Sequence, residues 1–384
     1  MFGERQKGLV RVLCISSAAV ITAGMVRALA RNRRRAWARK LRKAELHIHL
    51  DGSLRESTFL ELYAALPPEN FQDANGEKDP YGFSKNNNIR FETVDDIKRH
   101  LEFKKGMSLK RCLASFAFTL RLLQSASSLR RVARELCEDL AADGCCYGEI
   151  RYCPSLHVEQ GLTREEVVKA VGAGLRDFHS SSQFQFRQIL TALRDLGSEE
   201  AIKVAELAAR CRQNSQQELV VGFDLAGNEA AHPPEQFKDA FDIARAAGLG
   251  LTVHAGEGDD KQSAQNIIKA IEVLKVQRIG HCVAAKYDSE ALAAVRHAGV
   301  IVETCPTSNC HTCPAIRSIS ASAAATLIHS GIRCIPCTDN ALLSATSTSG
   351  EYALLREHTN LSVKELEEMA RCSIKDAAFD YSSD

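Results

Sequence analysis

The chain has 384 residues, of which 45% are hydrophobic and 25% are charged, enough to bury a large core and inconsistent with global disorder. Fourteen cysteines are scattered through predicted strands and helices, which argues against a disulfide-stapled secreted scaffold and favours reduced thiols inside a cell. The net charge of +1 combines +11 in residues 1–44 with −10 in the rest of the chain. Because the basic excess is confined to a leading segment, no nucleic-acid partner is expected.

Residues 1–44 form a basic extension ahead of the body of the chain, residues 45–384. Within the extension, residues 12–26 are uncharged, and six basic residues follow between positions 31 and 40. The uncharged stretch is short for a membrane span of about 20 residues, and the basic cluster is wrongly placed for a cleaved secretory signal. A loosely packed extension, a mitochondrial leader and a membrane anchor remain open. We expect a cytoplasmic protein, with mitochondrial or membrane-anchored localisation as alternatives and any membrane contact through residues 12–26.

From residue 45 onward, short apolar runs rich in β-branched residues alternate with longer helical patterns. This alternation is typical of βα units and predicts one domain, a parallel (β/α)8 barrel of the TIM type. Eight strands are predicted, at residues 45–50, 147–153, 186–193, 219–225, 250–254, 278–281, 300–304 and 332–337. The connection after the first strand, residues 53–144, is far longer than a crossover requires. We predict a helical insertion there, beside the C-terminal mouth of the barrel, where it could cover a ligand.

Two histidines in the first predicted strand give the first strong chemical signal. His47 and His49 are separated by one residue. Side chains at alternate positions of a strand point to the same face, so both imidazoles can converge on one ion.

Three further strand ends carry imidazole or carboxylate groups. His254 ends the fifth predicted strand and is followed by Glu257, His281 ends the sixth, and Asp339 follows the eighth. The carboxyl ends of barrel strands lie at one face, so these groups are expected to meet His47 there. Catalytic zinc takes nitrogen and oxygen ligands and keeps one position for a water whose pKa falls to about 7. The pattern therefore predicts a zinc-dependent hydrolase.

Seven short motifs occur in chain order after residue 44, at residues 47–53 (HIHLDGS), 149–152 (EIRY), 222–229 (GFDLAGNE), 254–257 (HAGE), 278–281 (RIGH), 305–309 (CPTSN) and 338–340 (TDN). The set resembles the ordered motifs of the adenosine deaminase family, within the amidohydrolase superfamily. It spans almost all of the chain after residue 44. The order of the whole set is specific, whereas no single motif is.

The resemblance implies one zinc ion per chain, held by three histidines and one aspartate, namely His47, His49, His254 and Asp339. It further implies that Glu257 protonates the purine N1 and that His281 orients the attacking water and helps to manage its proton. Attack on an aromatic carbon requires a nearby general acid, and Glu257 is the one carboxyl within its motif. The alternatives are a solvated loop carboxylate for Glu257 and a hydrogen-bonded core histidine for His281.

The resemblance also implies three substrate contacts. Asp51 matches the position that holds the sugar 5′-hydroxyl, although Asp51-Gly52 is also a common turn pair. Gly227 matches the backbone group that meets purine N3. Asn340 departs from the more familiar pattern of two successive aspartates, the second of which bonds to purine N7. An asparagine amide carries two N–H donors and is competent for that contact, although Asn340 could instead cap a turn.

A second zinc pattern in the sequence has to be weighed against the barrel site. Cys310 and Cys313, followed by Cys334 and Cys337, match the spacing of a structural zinc site. The second pair lies in a predicted strand, where residues three apart point to opposite faces, so we do not expect such a site. The His-x-Glu and Pro-Cys-x-x-Cys signature of the other zinc deaminases is absent.

The sequence predicts hydrolysis of the 6-amino group of adenosine or deoxyadenosine, giving inosine or deoxyinosine and ammonia. The first alternative is a deaminase of a related substrate, namely adenine, AMP or an N6-substituted AMP. Asp51 would repel a 5′-phosphate, which favours the nucleoside. The second alternative is a non-enzymatic purine-binding protein, against which the complete ligand set and Glu257 argue. No oligomeric state is predicted.

Overall fold

The structure, a computed structural model, describes residues 29–30, 32–66, 90–107, 109–179, 184–213 and 219–381. The uncharged stretch at residues 12–26 lies outside this set. Among the helices that are described, none has both the length and the apolar character that a membrane span requires.

In the described part of the chain, nine short strands, all paired in parallel, form two sheets. The first sheet contains β1 to β5 in sequential order, and the second contains β6 to β9. They are β1 (Lys43–His49), β2 (Cys145–Tyr152), β3 (Gln185–Leu193), β4 (Val220–Ala226), β5 (Gly250–Leu251), β6 (His254–Ala255), β7 (Arg278–His281), β8 (Ile301–Thr304) and β9 (Cys334–Pro336). Most of their residues are buried, as expected when both faces of a parallel sheet are covered, and the buried positions include charged side chains such as Glu149 and Arg151.

Backbone hydrogen bonds join the two sheets into one barrel. Strands β5 and β6 are two parts of the fifth predicted strand, since β5 pairs with β4 and the Leu251 carbonyl accepts from Gln277 N at 3.0 Å, just before β7. At the other edge, His49 N donates to the Asp339 carbonyl and Asp339 N donates to the His47 carbonyl, both at 2.8 Å. The eight predicted strand positions therefore form a closed ring, which confirms the predicted (β/α)8 barrel.

The described α-helices are Glu56–Ala65, Val94–His100, Leu109–Leu122, Ala126–Ala142, Arg164–His179, Ser198–Gln213, Lys238–Ala246, Lys261–Lys269, Ser289–Ala298, Pro306–Thr312, Ala323–His329, Thr348–His358 and Val363–Cys372. The first three belong to the predicted insertion after β1. The fourth packs closely on the fifth, because a Cβ added to Gly174 would lie 2.3 Å from the Arg130 carbonyl. It is therefore a crossover helix of the barrel, and the insertion ends earlier than predicted.

The predicted boundary between extension and barrel also differs from the structure. Strand β1 begins at Lys43, inside the predicted extension, and residues 32–40 are helical. In this helix Ala38 is fully buried, and the Trp37 ring lies 4.4 Å from the Arg356 guanidinium. These two apolar side chains, surrounded by arginines in the sequence, make part of the predicted extension a packed element of the folded body.

Candidate metal centre and active site

The C-terminal ends of four strands bring potential metal ligands together. His47, His254, His281 and Asp339 are all buried, and each offers a ligand atom within 4.8 Å of the others. His49 borders the same group, with its Nε2 atom 3.1 Å from His254 Nε2 and 3.4 Å from Asp339 Oδ1. The structure thus gathers the four predicted ligands and His281 at one barrel mouth.

The donor atoms at the centre have the chemistry of a metal site. His47 Nε2 is buried without a hydrogen-bond partner among the described residues and lies 3.7 Å from Asp339 Oδ1. Nε2 atoms of two other imidazoles, from His49 and His254, face each other. Nitrogen lone pairs and a carboxylate converging in this way are the donors that a borderline divalent metal binds. The residues therefore fit a metal ion.

Carboxylates behind two of the histidines fix which nitrogen faces the centre. His47 Nδ1 lies 2.8 Å from Glu303 Oε2, and His254 Nδ1 lies 3.2 Å from Asp224 Oδ1. A ring N–H donated to a carboxylate places the lone pair on Nε2, and such partners orient metal-ligating imidazoles. Neither Glu303 nor Asp224 was predicted as a functional residue.

Two buried arginines neutralise these carboxylates inside the barrel. Arg151 lies 2.8 Å from Glu303 and 3.4 Å from Asp224, and Arg278 lies 2.7 Å from Glu303 and 2.5 Å from Glu149. Burial alone would raise the pKa of the Glu303 carboxyl, but Arg151 and Arg278 outweigh it and hold that pKa well below its usual range. The carboxylates stay ionised and keep accepting from the histidines.

The protonation states of three of the four predicted ligands suit metal binding at neutral pH, whereas for His47 burial is outweighed by Asp339 and Glu303, which raise its pKa. Burial lowers the pKa of His254 to about 4 and the pKa of His49 well below its ordinary value. For Asp339, burial is outweighed by the neighbouring histidines, above all His47, which hold its pKa well below the ordinary value. Neutral imidazoles and an ionised carboxylate are the forms that bind a metal.

His281 is held at the end of β7 by a side chain from the next βα unit. Its Nδ1 atom lies 2.8 Å from Asn309 Oδ1, an acceptor, so Nδ1 carries the proton and Nε2 the lone pair. The backbone at His281 is left-handed, with φ of 65°, as it is at Cys282. This sharp turn ends the strand and directs the imidazole to the centre. Asn309 was quoted in a motif, but its role was not predicted.

Glu257 follows β6 in a loop beside the metal ligands and is half-buried. Burial raises the pKa of its carboxyl; nearby Glu229 and Asp339 raise it further, whereas His281 lowers it. A carboxyl that keeps its proton to higher pH than a solvated glutamate is suited to donate a proton.

The three predicted substrate contacts lie on loops that follow β1, β4 and β9. Asp51 is 5% exposed, its Oδ1 atom has no hydrogen-bond partner among the described residues, and burial raises its pKa to about 7. Asn340 packs against Gly52 so closely that a Cβ there would lie 1.8 Å from its Oδ1 atom. Gly227 has a φ of 99°, and a Cβ would lie 2.4 Å from an Asp195 oxygen, so the turn after β4 requires glycine.

In the described part of the chain, the four cysteines with the spacing of a structural zinc site form no group of potential metal ligands. The one group of potential metal ligands found there contains no cysteine, and the described cysteines are free thiols. Cys334 and Cys337 are buried in the barrel wall.

Solved structures with the same fold include a deaminase of N6-mAMP and an amidohydrolase that has bound Zn. The Arabidopsis N6-mAMP deaminase has a TM-score of 0.74 and 29% identity, over 90% of this chain and 96% of that one. An amidohydrolase from Burkholderia ambifaria, solved with bound Zn, has a TM-score of 0.73 over 90% and 88% of the two chains. Its identity of 24% shows the fold alone.

Sequence comparison identifies the family. A curated adenosine deaminase from Clostridium acetobutylicum is 36% identical over 335 residues, which cover 87% of this chain and 92% of the relative. The adenosine deaminase from Clostridium botulinum strain Hall is 32% identical over 329 residues, 85% and 90% of the two chains. The model of the adenosine deaminase family matches residues 80–383. The chain therefore belongs to the adenosine deaminase family and is a deaminase of the amidohydrolase type.

Proposed function

We propose that this protein is a zinc-dependent hydrolase that converts adenosine and deoxyadenosine to inosine and deoxyinosine with release of ammonia. The observation that carries the proposal is the convergence of imidazole Nε2 atoms and the Asp339 carboxylate at one barrel mouth. The family membership supplies the reaction class.

The zinc would be held by the four predicted ligands, His47, His49, His254 and Asp339. When bound, zinc supplies hydroxide at neutral pH by lowering the pKa of a water to about 7. His281 belongs to the group whose ligand atoms all lie within 4.8 Å of one another, whereas His49 borders that group through His254 and Asp339. We assign His281 to the attacking water and not to the metal because the family resemblance gives it that role; its imidazole is held by an uncharged amide, whereas the carboxylates behind His47 and His254 make those two imidazoles stronger metal ligands.

The protein's own groups would move two protons during the reaction. Attack of water on purine C6 disrupts the aromatic ring, so N1 must gain a proton as the new bond forms, and Glu257 is placed to give it. His281 Nε2 accepts the proton that leaves the attacking water, since Asn309 holds its Nδ1 atom in the protonated form. The same proton can be returned to the amino group as it departs as ammonia, and the proton of the C6 hydroxyl returns to Glu257 as the C6 carbonyl of the product forms.

Three loop residues would hold the nucleoside. The Asp51 carboxyl, buried and with one oxygen unpartnered, is suited to accept from the sugar 5′-hydroxyl. The backbone of Gly227 would meet purine N3, and the side-chain amide of Asn340 would donate to N7. These contacts would favour an unphosphorylated purine nucleoside as the substrate.

The second candidate substrate is N6-methyl-AMP, because an Arabidopsis deaminase of that nucleotide is similar over most of this chain. Asp51 argues against it, since a carboxylate facing a 5′-phosphate is a like-charge contact that costs several kcal/mol.

The experiment is an ultraviolet assay of the zinc-loaded protein with adenosine, deoxyadenosine, AMP, N6-methyl-AMP and adenine in parallel. We expect the two nucleosides to react at least about 10-fold faster than the nucleotides, and Asp51→Asn to narrow that ratio by removing the repulsion. Exclusive reaction with a nucleotide would replace the proposed substrate. Reaction with none of the five would support the binding-protein alternative.

A further inference from the structure

A carboxylate next to the active-site loop is bound to the backbone of that loop at two points. Glu229, at the end of the 222–229 motif, is 7% exposed. Its Oε2 atom accepts from Gly256 N at 3.0 Å, and its Oε1 atom accepts from Glu257 N at 2.8 Å. One side chain therefore satisfies two successive amides of the loop that carries Glu257.

The loop needs such a partner because its turn is tight and the Ile267 side chain packs against it. Gly256 has a φ of 71°, and a Cβ there would lie 2.4 Å from the Ile267 side chain. Two neighbouring N–H groups in this turn point the same way, and buried amides left without acceptors each cost about 1 to 3 kcal/mol. The ionised carboxylate is a strong acceptor for both.

Other buried side chains fix the carboxylate and the loop. Asn266, 1% exposed on helix Lys261–Lys269, donates from Nδ2 to Glu229 Oε2 and to the Glu229 carbonyl, both at 3.1 Å. Arg194 donates to the His254 carbonyl at 2.8 Å and to the His232 carbonyl at 2.7 Å. The start of the loop is thus held by Arg194, and its turn is held by Glu229.

We infer that Glu229 is a positioning residue, which holds the Gly256 and Glu257 amides and so keeps the Glu257 side chain oriented for proton transfer to the substrate ring. The inference rests on the proposed function. Because both Glu229 oxygens are occupied by loop and Asn266 donors, Glu229 acts through Glu257 and does not itself exchange protons with the substrate.

The test begins with Glu229→Gln, which keeps the shape but replaces one acceptor oxygen by an N–H donor that faces a backbone N–H. We expect kcat for adenosine to fall at least about 10-fold, since small displacements of a catalytic group cost up to about 100-fold. The KM and the zinc content should stay within about 2-fold of the wild type. Asn266→Ala leaves the acceptors in place and should give a smaller loss of kcat, which provides a second measurement if Glu229→Gln does not fold.

Glu135→Gln is the matched control. Glu135 is a similarly buried carboxylate, 6% exposed, which accepts from Thr58 and Arg131 and lies outside the centre. Its replacement should lower the unfolding temperature without changing kcat per bound zinc.

A positioning role is separated from a merely structural one by combining variants. In a Glu257→Gln background, Glu229→Gln should cause no further loss of kcat, and hydrogen exchange of the Gly256 and Glu257 amides should be faster in Glu229→Gln than in wild type. Three results would each overturn the inference. They are a wild-type kcat in Glu229→Gln, a loss of kcat in the Glu257→Gln background as large as in the wild-type background, and unchanged amide exchange. With any of them, deamination of adenosine by the wild-type protein would still uphold the proposed function. If wild-type protein deaminates no substrate, both fall together.

Discussion

At the scale of single residues, Asn340 is the departure from the family pattern with the clearest chemical consequence. Its Oδ1 atom is buried against Gly52 without a hydrogen-bond partner among the described residues. An amide oxygen turned toward the protein leaves the N–H2 group as the donor for purine N7.

The Asn340 contact is tested with 7-deazaadenosine, which lacks the N7 acceptor. The unpaired donor should cost about 1 to 3 kcal/mol, which reduces kcat/KM relative to adenosine by about 5-fold or more. In Asn340→Ala, the kcat/KM values for the two substrates should be similar. The N7 contact would be contradicted if wild-type protein processed both substrates at equal rates and the ratio of their kcat/KM values were unchanged in Asn340→Ala.

Residues on a strand face could be predicted, whereas their partners across the barrel could not. His47 and His49 are recognisable because alternate strand positions share a face. Glu303, which orients His47, lies 256 positions away in the sequence, and only the closed barrel brings the two together. The available signal was the presence of charged residues such as Arg151 and Glu303 within the predicted strands of the barrel.

At the scale of secondary-structure elements, a buried carboxyl links helix Thr348–His358 to the loop that follows β8. Glu351 is fully buried and accepts from the Thr307 backbone at 3.0 Å and from the Thr307 and Thr346 hydroxyls, each at 2.5 Å. Burial raises its pKa to about 7, even though these donors oppose the shift. The folded protein therefore holds a proton here at pH values where the unfolded chain has lost it.

The stability that this carboxyl contributes should be present below its ordinary pKa and should be lost as pH rises toward about 7. Glu351→Gln cannot titrate. The free energy of unfolding of the variant minus that of the wild type should therefore increase between pH 5 and 8, by up to roughly 3 kcal/mol. Urea denaturation at each pH measures the difference. The exposed Glu290→Gln serves as the control, and a Glu351→Gln difference that does not change with pH would contradict the assignment.

The helix at residues 32–40 changes the expectation for the basic extension. Trp37 and Ala38 pack on the body, and Arg34 pairs with Glu357 at 2.6 Å. We expect deletion of residues 1–28 to leave kcat and the unfolding temperature near those of the full chain. Deletion of residues 1–41 should lower the unfolding temperature, because burying one aromatic side chain contributes about 1.5 to 3 kcal/mol.

Trp37→Ala in the full chain is the matched variant for that deletion. Like the deletion of residues 1–41, it should lower the unfolding temperature, and it should leave kcat unchanged. Equal unfolding temperatures for the two deletions would show that the helix does not stabilise the body.

Some element positions were predictable, as for β7, whose observed bounds match the prediction. The fifth strand was predicted as one piece, but pairing is interrupted between Leu251 and His254. There the Thr252 hydroxyl donates to Glu303 at 2.9 Å. Such a break depends on contacts across the barrel and has no local signature.

At the scale of the whole molecule, the order of strands along the chain equals their order around the barrel. That order places every strand's carboxyl end at one mouth, so strand-end residues such as His254 and Asp339 meet although they are distant in sequence. This is why the fold and the ligand set could be predicted together. Helix 32–40 could not be predicted, because its three apolar residues, Ala36, Trp37 and Ala38, are consecutive and give no helical periodicity among the charged residues.

The account depends most directly on zinc bound by His47, His49, His254 and Asp339 and on its role in adenosine deamination. The decisive measurement is a zinc titration of the chelator-treated full chain, in which bound metal and the rate of adenosine loss are followed together. We predict that the rate rises in proportion to bound zinc and reaches its plateau at one zinc per chain, and that His254→Ala neither retains the metal nor recovers the rate. Full activity in the metal-free protein, or a zinc-saturated protein that does not deaminate adenosine, would contradict the account.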